Sequence, residues 1–110
     1  MTTDARIQDG VVVLSNGRRI ALPLPIVQLL AAGEMIIARG RRQDRYCSGN
    51  IWGLDREGRA VWRVTDKKPL DAEFIDMELQ GEQLIGFNFN GYRCSIDTRS
   101  GEVKWSEFTK

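Results

Sequence analysis

Four arginines within seven positions, Arg39, Arg41, Arg42 and Arg45, form the densest concentration of chemical potential in the chain, with only Asp44 opposing them. Guanidinium forks match phosphate oxygens bidentately, so the cluster could hold a phosphoanion or a nucleic-acid backbone, with Tyr46 and Trp52 nearby to stack on bases. The competing reading is a solvated hairpin loop, because charge collects at loop tips, and that is the expectation here. Asp71, Glu73, Asp76, Glu78 and Glu82 make a second, acidic segment. Its spacing does not resemble an EF-hand, and alternating carboxylates read as the wet face of an outer strand. Asp55 and Asp97 could pair as catalytic carboxylates. Cys47, close to Arg45, could have an activated thiol, although nothing else near it in sequence would help. Two isolated cysteines, Cys47 and Cys94, are too few for a disulfide framework or a metal knuckle; they read as free thiols, with a single pairing left open. The chain has no histidine. That removes Ser-His-Asp and Cys-His nucleophile activation and the commonest acid and base near neutral pH, so an enzyme is not expected.

Most of these residues find a simpler account in a cassette that occurs twice. Ile51-Trp52-Gly53-Leu54-Asp55-Arg56-Glu57-Gly58-Arg59-Ala60-Val61-Trp62 and Cys94-Ser95-Ile96-Asp97-Thr98-Arg99-Ser100-Gly101-Glu102-Val103-Lys104-Trp105 both read as strand, Asp-to-Gly turn, and strand carrying a tryptophan. In that frame Asp55 and Asp97 cap the next backbone amides as Asx-turns. Gly58 and Gly101 supply the positive φ that reverses the chain. Upstream of each cassette lies another matched stretch, from Ile26 and from Phe74, and the two copies are offset by 43 to 48 residues. A period in the forties, carried by short alternating strands and glycine turns, is that of a four-stranded propeller-type blade.

The second copy predicts strands near 74–79, 83–89, 92–97 and 102–108, with Ile85, Phe87 and Phe89 alternating against Gly86, Asn88 and Asn90. Asn90-Gly91 predicts a two-residue type I′ turn. The first copy predicts strands near 26–31, 34–39, 50–55 and 60–64, the middle pair joined by the arginine-rich stretch. A helix from Ile26 to Ala32 is the main competitor; it loses because the matched stretch alternates and because Pro23 and Pro25 hold the entry extended. A further hairpin, Val11 to Leu22 around Ser15-Asn16-Gly17, sits in the cassette's position without its tryptophan.

At these residues the chain resembles the repeats of quinoprotein-type β-propellers, whose members include dehydrogenases that use pyrroloquinoline quinone. Their blades carry a docking motif A-x-D-x-x-T-G-x-x-x-W. Ser95, Asp97, Ser100, Gly101 and Trp105 match it with Ser in place of Ala and of Thr; Asp55, Gly58 and Trp62 match with one turn residue deleted. The resemblance spans residues 26–108. It implies that Trp62 and Trp105 pack against a neighbouring blade, and it implies no chemistry. In the dehydrogenases an adjacent cysteine pair covers the cofactor, whereas Cys47 and Cys94 are far apart in sequence, so quinone binding does not carry over and no cofactor is expected.

At 110 residues, 42% of them hydrophobic and 28% charged, the chain suits one soluble domain. Net charge is +1, with seven basic against five acidic residues up to Asp55 and nine against ten beyond it. No global field points to nucleic acid or to a membrane. No apolar run could span a bilayer and Met1 to Gly10 does not read as a secretory signal, so a cytoplasmic setting is the expectation. The expected fold is all-β: an antiparallel meander of propeller-blade-like four-stranded repeats, about ten short strands in a single domain of 1–110. Its parts are a half repeat at 1–25, one repeat at 26–66 and another at 67–110. The leading functional expectation is a non-enzymatic protein-interaction module, its partner a protein and most simply a second copy of itself, because isolated blades leave faces and edges uncovered. The alternative is a nucleic-acid or phosphoanion binder working through residues 39–45.

Overall fold

The structure is a computed structural model that describes residues 5–42, 44, 48–64 and 73–109. All the secondary structure among these residues is β. Strands β1 (Ala5–Gln8), β2 (Val11–Leu14) and β3 (Arg19–Ile20) form the first sheet. Strands β4 (Ile26–Ala32), β5 (Met35–Gly40), β6 (Ile51–Leu54) and β7 (Ala60–Arg63) form the second, and β8 (Phe74–Gln80), β9 (Gln83–Asn88), β10 (Tyr92–Ile96) and β11 (Val103–Phe108) the third. Every pairing is antiparallel between strands consecutive in the chain, so each sheet is a simple meander. The two four-stranded sheets fall where the sequence repeat predicts them, and Ile26–Ala32 is a strand. The hairpin β2–β3 occupies the cassette's place in the first sheet and gains β1, a strand the sequence pattern did not signal.

The sheets stack face to face in chain order. Val12 and Leu14 of the first sheet meet Ile26, Ile36, Ala38, Trp52 and Leu54 of the second in one apolar layer. Ile37, Ile51, Trp62 and Val64 of the second meet Phe74, Met77, Leu84, Cys94 and Ile96 of the third in another. Alternation within each strand explains how the second sheet serves both layers. Ile36 and Ile37 are adjacent in β5, point to opposite faces and are both buried. The first strands of successive sheets run beside one another, β1 against β4 and β4 against β8, so the sheets fan out from that edge.

Two expectations need correction. The β9–β10 connection is not a two-residue type I′ turn. The strands end at Asn88 and resume at Tyr92, and Gly91, at φ +89°, is the residue of the connection in the left-handed region; among the described residues only Asp9 adopts positive φ without being glycine. A three-residue loop closed by a left-handed glycine fits better, because Asn90 then needs no unusual backbone. The acidic strand β8 is also not an outer strand. It is the edge from which the sheets fan, and Glu73 just before it is buried.

A buried polar clamp ties the second sheet to the start of the third. Asn50, fully buried, donates from Nδ2 to the carbonyls of Gly40 and Phe74 and accepts from the Phe74 amide at Oδ1, each at 2.8 Å. Arg39 donates to Gln28 Oε1 at 2.8 Å and to the Phe74 carbonyl at 3.4 Å, and Gln28 in turn donates to the Met77 carbonyl. Phe74 is thus seated by side chains of the preceding sheet. Asn50→Ala would leave the backbone groups of Phe74 buried with too few partners, at a cost of roughly 2–4 kcal/mol. Urea unfolding of the variant reads that loss directly; a midpoint equal to wild type would show the clamp to be dispensable.

Candidate functional site

The residues that repeat are brought together between sheets. Trp62, on β7, lays its indole across the turn that joins β10 to β11. It is 8% exposed, and its Nε1 donates to the Thr98 carbonyl at 2.7 Å. The ring is held between two glycines. A methyl group built on Gly53, its cross-strand partner, would lie inside the ring's own van der Waals envelope, and one built on Gly101, in the facing turn, would lie 2.8 Å from Cδ2. Gly101 therefore has two reasons to be glycine, a φ of +75° and the absence of room. The first is legible in the turn pattern; the second appears only once the next sheet is in place.

The same contact joins the first sheet to the second with a different side chain. Val12 pairs with Ile20 as Gly53 pairs with Trp62, so Ile20 occupies the tryptophan's register position. It packs on Gly58, where an added methyl would fall 2.5 Å from its Cδ1, and Arg18 Nη1 supplies the polar contact by donating to the Glu57 carbonyl at 2.9 Å. Trp105, paired with Ser95, is the third member of the series. The resemblance implies a neighbouring blade for it, and among the described residues none covers it: Trp105 is 39% exposed, and the Arg93 guanidinium lies 5.4 Å from its ring centroid. Arg93 also bonds Gln80 Oε1 and lies 3.6 Å from Glu107.

The aspartates organise the turns that receive these side chains. Asp55 Oδ1 accepts from the amides of Glu57 and Arg59 at 2.9 Å, and Asp97 Oδ1 accepts from those of Arg99 at 2.7 Å and Ser100 at 3.3 Å. Backbone donors hold both carboxyls below the ordinary carboxylate range, Arg59 chiefly for Asp55 and Arg99 chiefly for Asp97; the Arg59 side chain and Lys104 add smaller pulls in the same direction. The two groups sit in separate turns, each fully engaged by its own loop.

The four arginines are not equivalent. Arg39 is 9% exposed, and its guanidinium is spent on Gln28 and Phe74. Burial pulls its pKa downward, opposed by the attraction of Asp76. Arg41 is exposed and Arg42 half-buried, lining a shallow depression with Pro25, Val27 and Asp44. Arg45 lies outside the described residues, as do Cys47 and Asp71. Cys94 is a free, buried thiol whose pKa burial pushes up to about 11, which keeps it protonated at neutral pH. Among the described residues there is neither a group of three or more metal-ligating side chains nor a helix long and apolar enough to cross a membrane.

Stacked antiparallel meanders of three or four strands, successive sheets locked by an outer-strand side chain seated on the next sheet's turn, define a piece of a β-propeller fold. Solved structures share this architecture. The chain superposes over 100% of its length on BamB from Moraxella catarrhalis, a propeller repeat protein, with a TM-score of 0.68 and 19% identity, and over 99% on the computationally designed protein Ika8, with 0.64 and 9%. It spans 38% and 37% of those two chains. Residues 4–108 match the profile of the family described as "Domain of unknown function (DUF7957)", and the chain belongs to that family. No protein with a curated description matches it in sequence.

Two measurements check this geometry. Gly101→Ala suffers both a strained φ and the Trp62 ring, whereas Gly81→Ala, at φ +64° with open space around it, suffers only the first. Gly101→Ala should lose about 1–3 kcal/mol more than Gly81→Ala on urea unfolding; equal losses would mean that the indole does not rest on that glycine. Because both aspartates titrate below the range they have in the unfolded chain, their contribution to stability is complete above that range and is lost as pH falls through it. Asp55→Asn with Asp97→Asn should therefore flatten the decline of the melting temperature below about pH 4; an unchanged acid slope would contradict the assignment.

Proposed function

We propose that the domain is a non-enzymatic protein-interaction module, a quinoprotein-type repeat fragment without a cofactor site that acts through the free face of its third blade. The observation that carries this reading is the contrast between equivalent tryptophans. Trp62 is 8% exposed on a seat provided by the next blade, while Trp105, in the same register, is 39% exposed with no such seat among the described residues. An exposed indole rimmed by Arg93, Gln80 and Glu107 has the composition of an interface anchor with a polar surround.

The remaining residues that could do chemistry support the same reading because folding already employs them. Asp55 and Asp97 cap turns, Cys94 is buried, and Arg39 clamps two blades together. The phosphoanion alternative would fall to Arg41, Arg42 and Arg45, since the guanidinium of Arg39 is committed internally.

A photo-crosslinking amino acid at position 105 tests the proposal in cells that make the protein, with the same probe at the exposed Val61 as control. Adducts formed on illumination at 105 and not at 61 are the expected result, whether the captured chain is this protein or another. A probe at 105 that captures no protein would overturn the proposal.

A further inference from the structure

The occupant of the Trp105 face can be read from the other end of the molecule. The two internal junctions run in one direction: a side chain on the outer strand of one sheet rests on the turn glycine of the next. Gly58 receives Ile20 and Gly101 receives Trp62. A third turn of the same kind exists. In the β2–β3 turn the Gly17 amide donates to the Leu14 carbonyl at 2.9 Å, as the Gly58 amide donates to Asp55, and Gly17 has φ +87° against +86° for Gly58. Among the described residues, nothing lies within 4 Å of the position a Cβ on Gly17 would take. Among the described residues, the third sheet thus carries an indole without a seat and the first a seat without an occupant.

Resting on the interaction-module reading, we infer that the partner is a second copy of this chain, joined head to tail, with Trp105 of each copy seated over Gly17 of the other. The polar part of the internal junction has its counterpart too. Trp62 Nε1 donates to the carbonyl of the residue after Asp97, and the corresponding acceptor in the β2–β3 turn is the carbonyl of Ser15. The two free faces differ in sign. In the first sheet, Val12 and Leu14 point into the core, so Arg6 and Arg19, both paired with Val13, share the outward face. In the third sheet, Met77 and Leu84 point into the core, so Glu78, paired with Ile85, and Glu107, paired with Arg93, stand on the outward face with Trp105. Two arginines thus oppose two glutamates, one of which Arg93 already partly neutralises. A head-to-tail contact leaves ends uncovered unless it closes, and two copies of three sheets close at six, within the four to eight blades usual for propellers.

Light scattering behind size exclusion on the purified chain should give twice 12.5 kDa. Trp105→Ala, at a half-exposed position, and Arg19→Glu, at the opposite end, should each reduce the mass to a single chain. With the photo-crosslinker at 105 in the purified protein, the adduct should contain two chains and map to residues 14–18. A wild-type mass of one chain at high concentration, a dimer indifferent to both substitutions, or an adduct mapping elsewhere on a second copy overturns the head-to-tail junction. If the cellular crosslink at 105 captures a different protein and never this chain, the junction fails while the interaction module stands; if it captures none, both fail.

Discussion

The fold depends on a flat aromatic ring held between two backbones that carry no side chain. Trp62 can lie on its own sheet because Gly53 beneath it is bare, and it can reach the next sheet because Gly101 is bare as well. Dispersion falls off steeply with distance, so an indole in contact on both faces binds its neighbours far better than one separated from either by a methyl group. The hydrogen bond from Nε1 to the Thr98 carbonyl satisfies the ring's single polar atom and fixes its rotation. Around that contact the spacing between the second and third sheets is set, and the apolar layer from Ile37 to Ile96 fills the space left.

The junctions of this chain are built with different means. Between the first and second sheets, Ile20 and Arg18 divide what one tryptophan does elsewhere: the aliphatic chain covers the turn glycine and the guanidinium makes the bond to the turn carbonyl. Between the second and third, the clamp of Asn50, Arg39 and Gln28 adds polar seating for Phe74 at the inner side, while Trp62 holds the outer side. Two attachments at opposite sides of a sheet resist both sliding and hinging, which a single contact would not.

The repeat was legible because its turns need particular residues. An Asx acceptor, a left-handed glycine and a tryptophan four positions on leave a pattern that survives the sequence differences between copies, and the strands follow from it. Ile20 carried no such mark, since an isoleucine in a strand is ordinary and only the register with Val12 places it with the tryptophans. Asn50 and Gln28 were equally silent, because a clamp between sheets has no fixed spacing along the chain. In the sequence the arginine stretch looks like one unit, yet strand alternation turns Arg39 inward from β5 while Arg41 lies beyond the strand's end. The burial of Glu73 and the inner position of β8 depend on which edge the sheets fan from, a property of the whole stack that a local pattern does not contain.

The direction of the junctions also governs the order in which the chain can mature on the ribosome. Domains form progressively as the polypeptide emerges. The second sheet can complete its hydrogen bonds once Arg63 is out, but the seat for Trp62 does not exist until Gly101 has followed, 38 residues later. Throughout that interval the nascent chain carries a wet indole at its growing end, and the third sheet hides that ring while displaying its own.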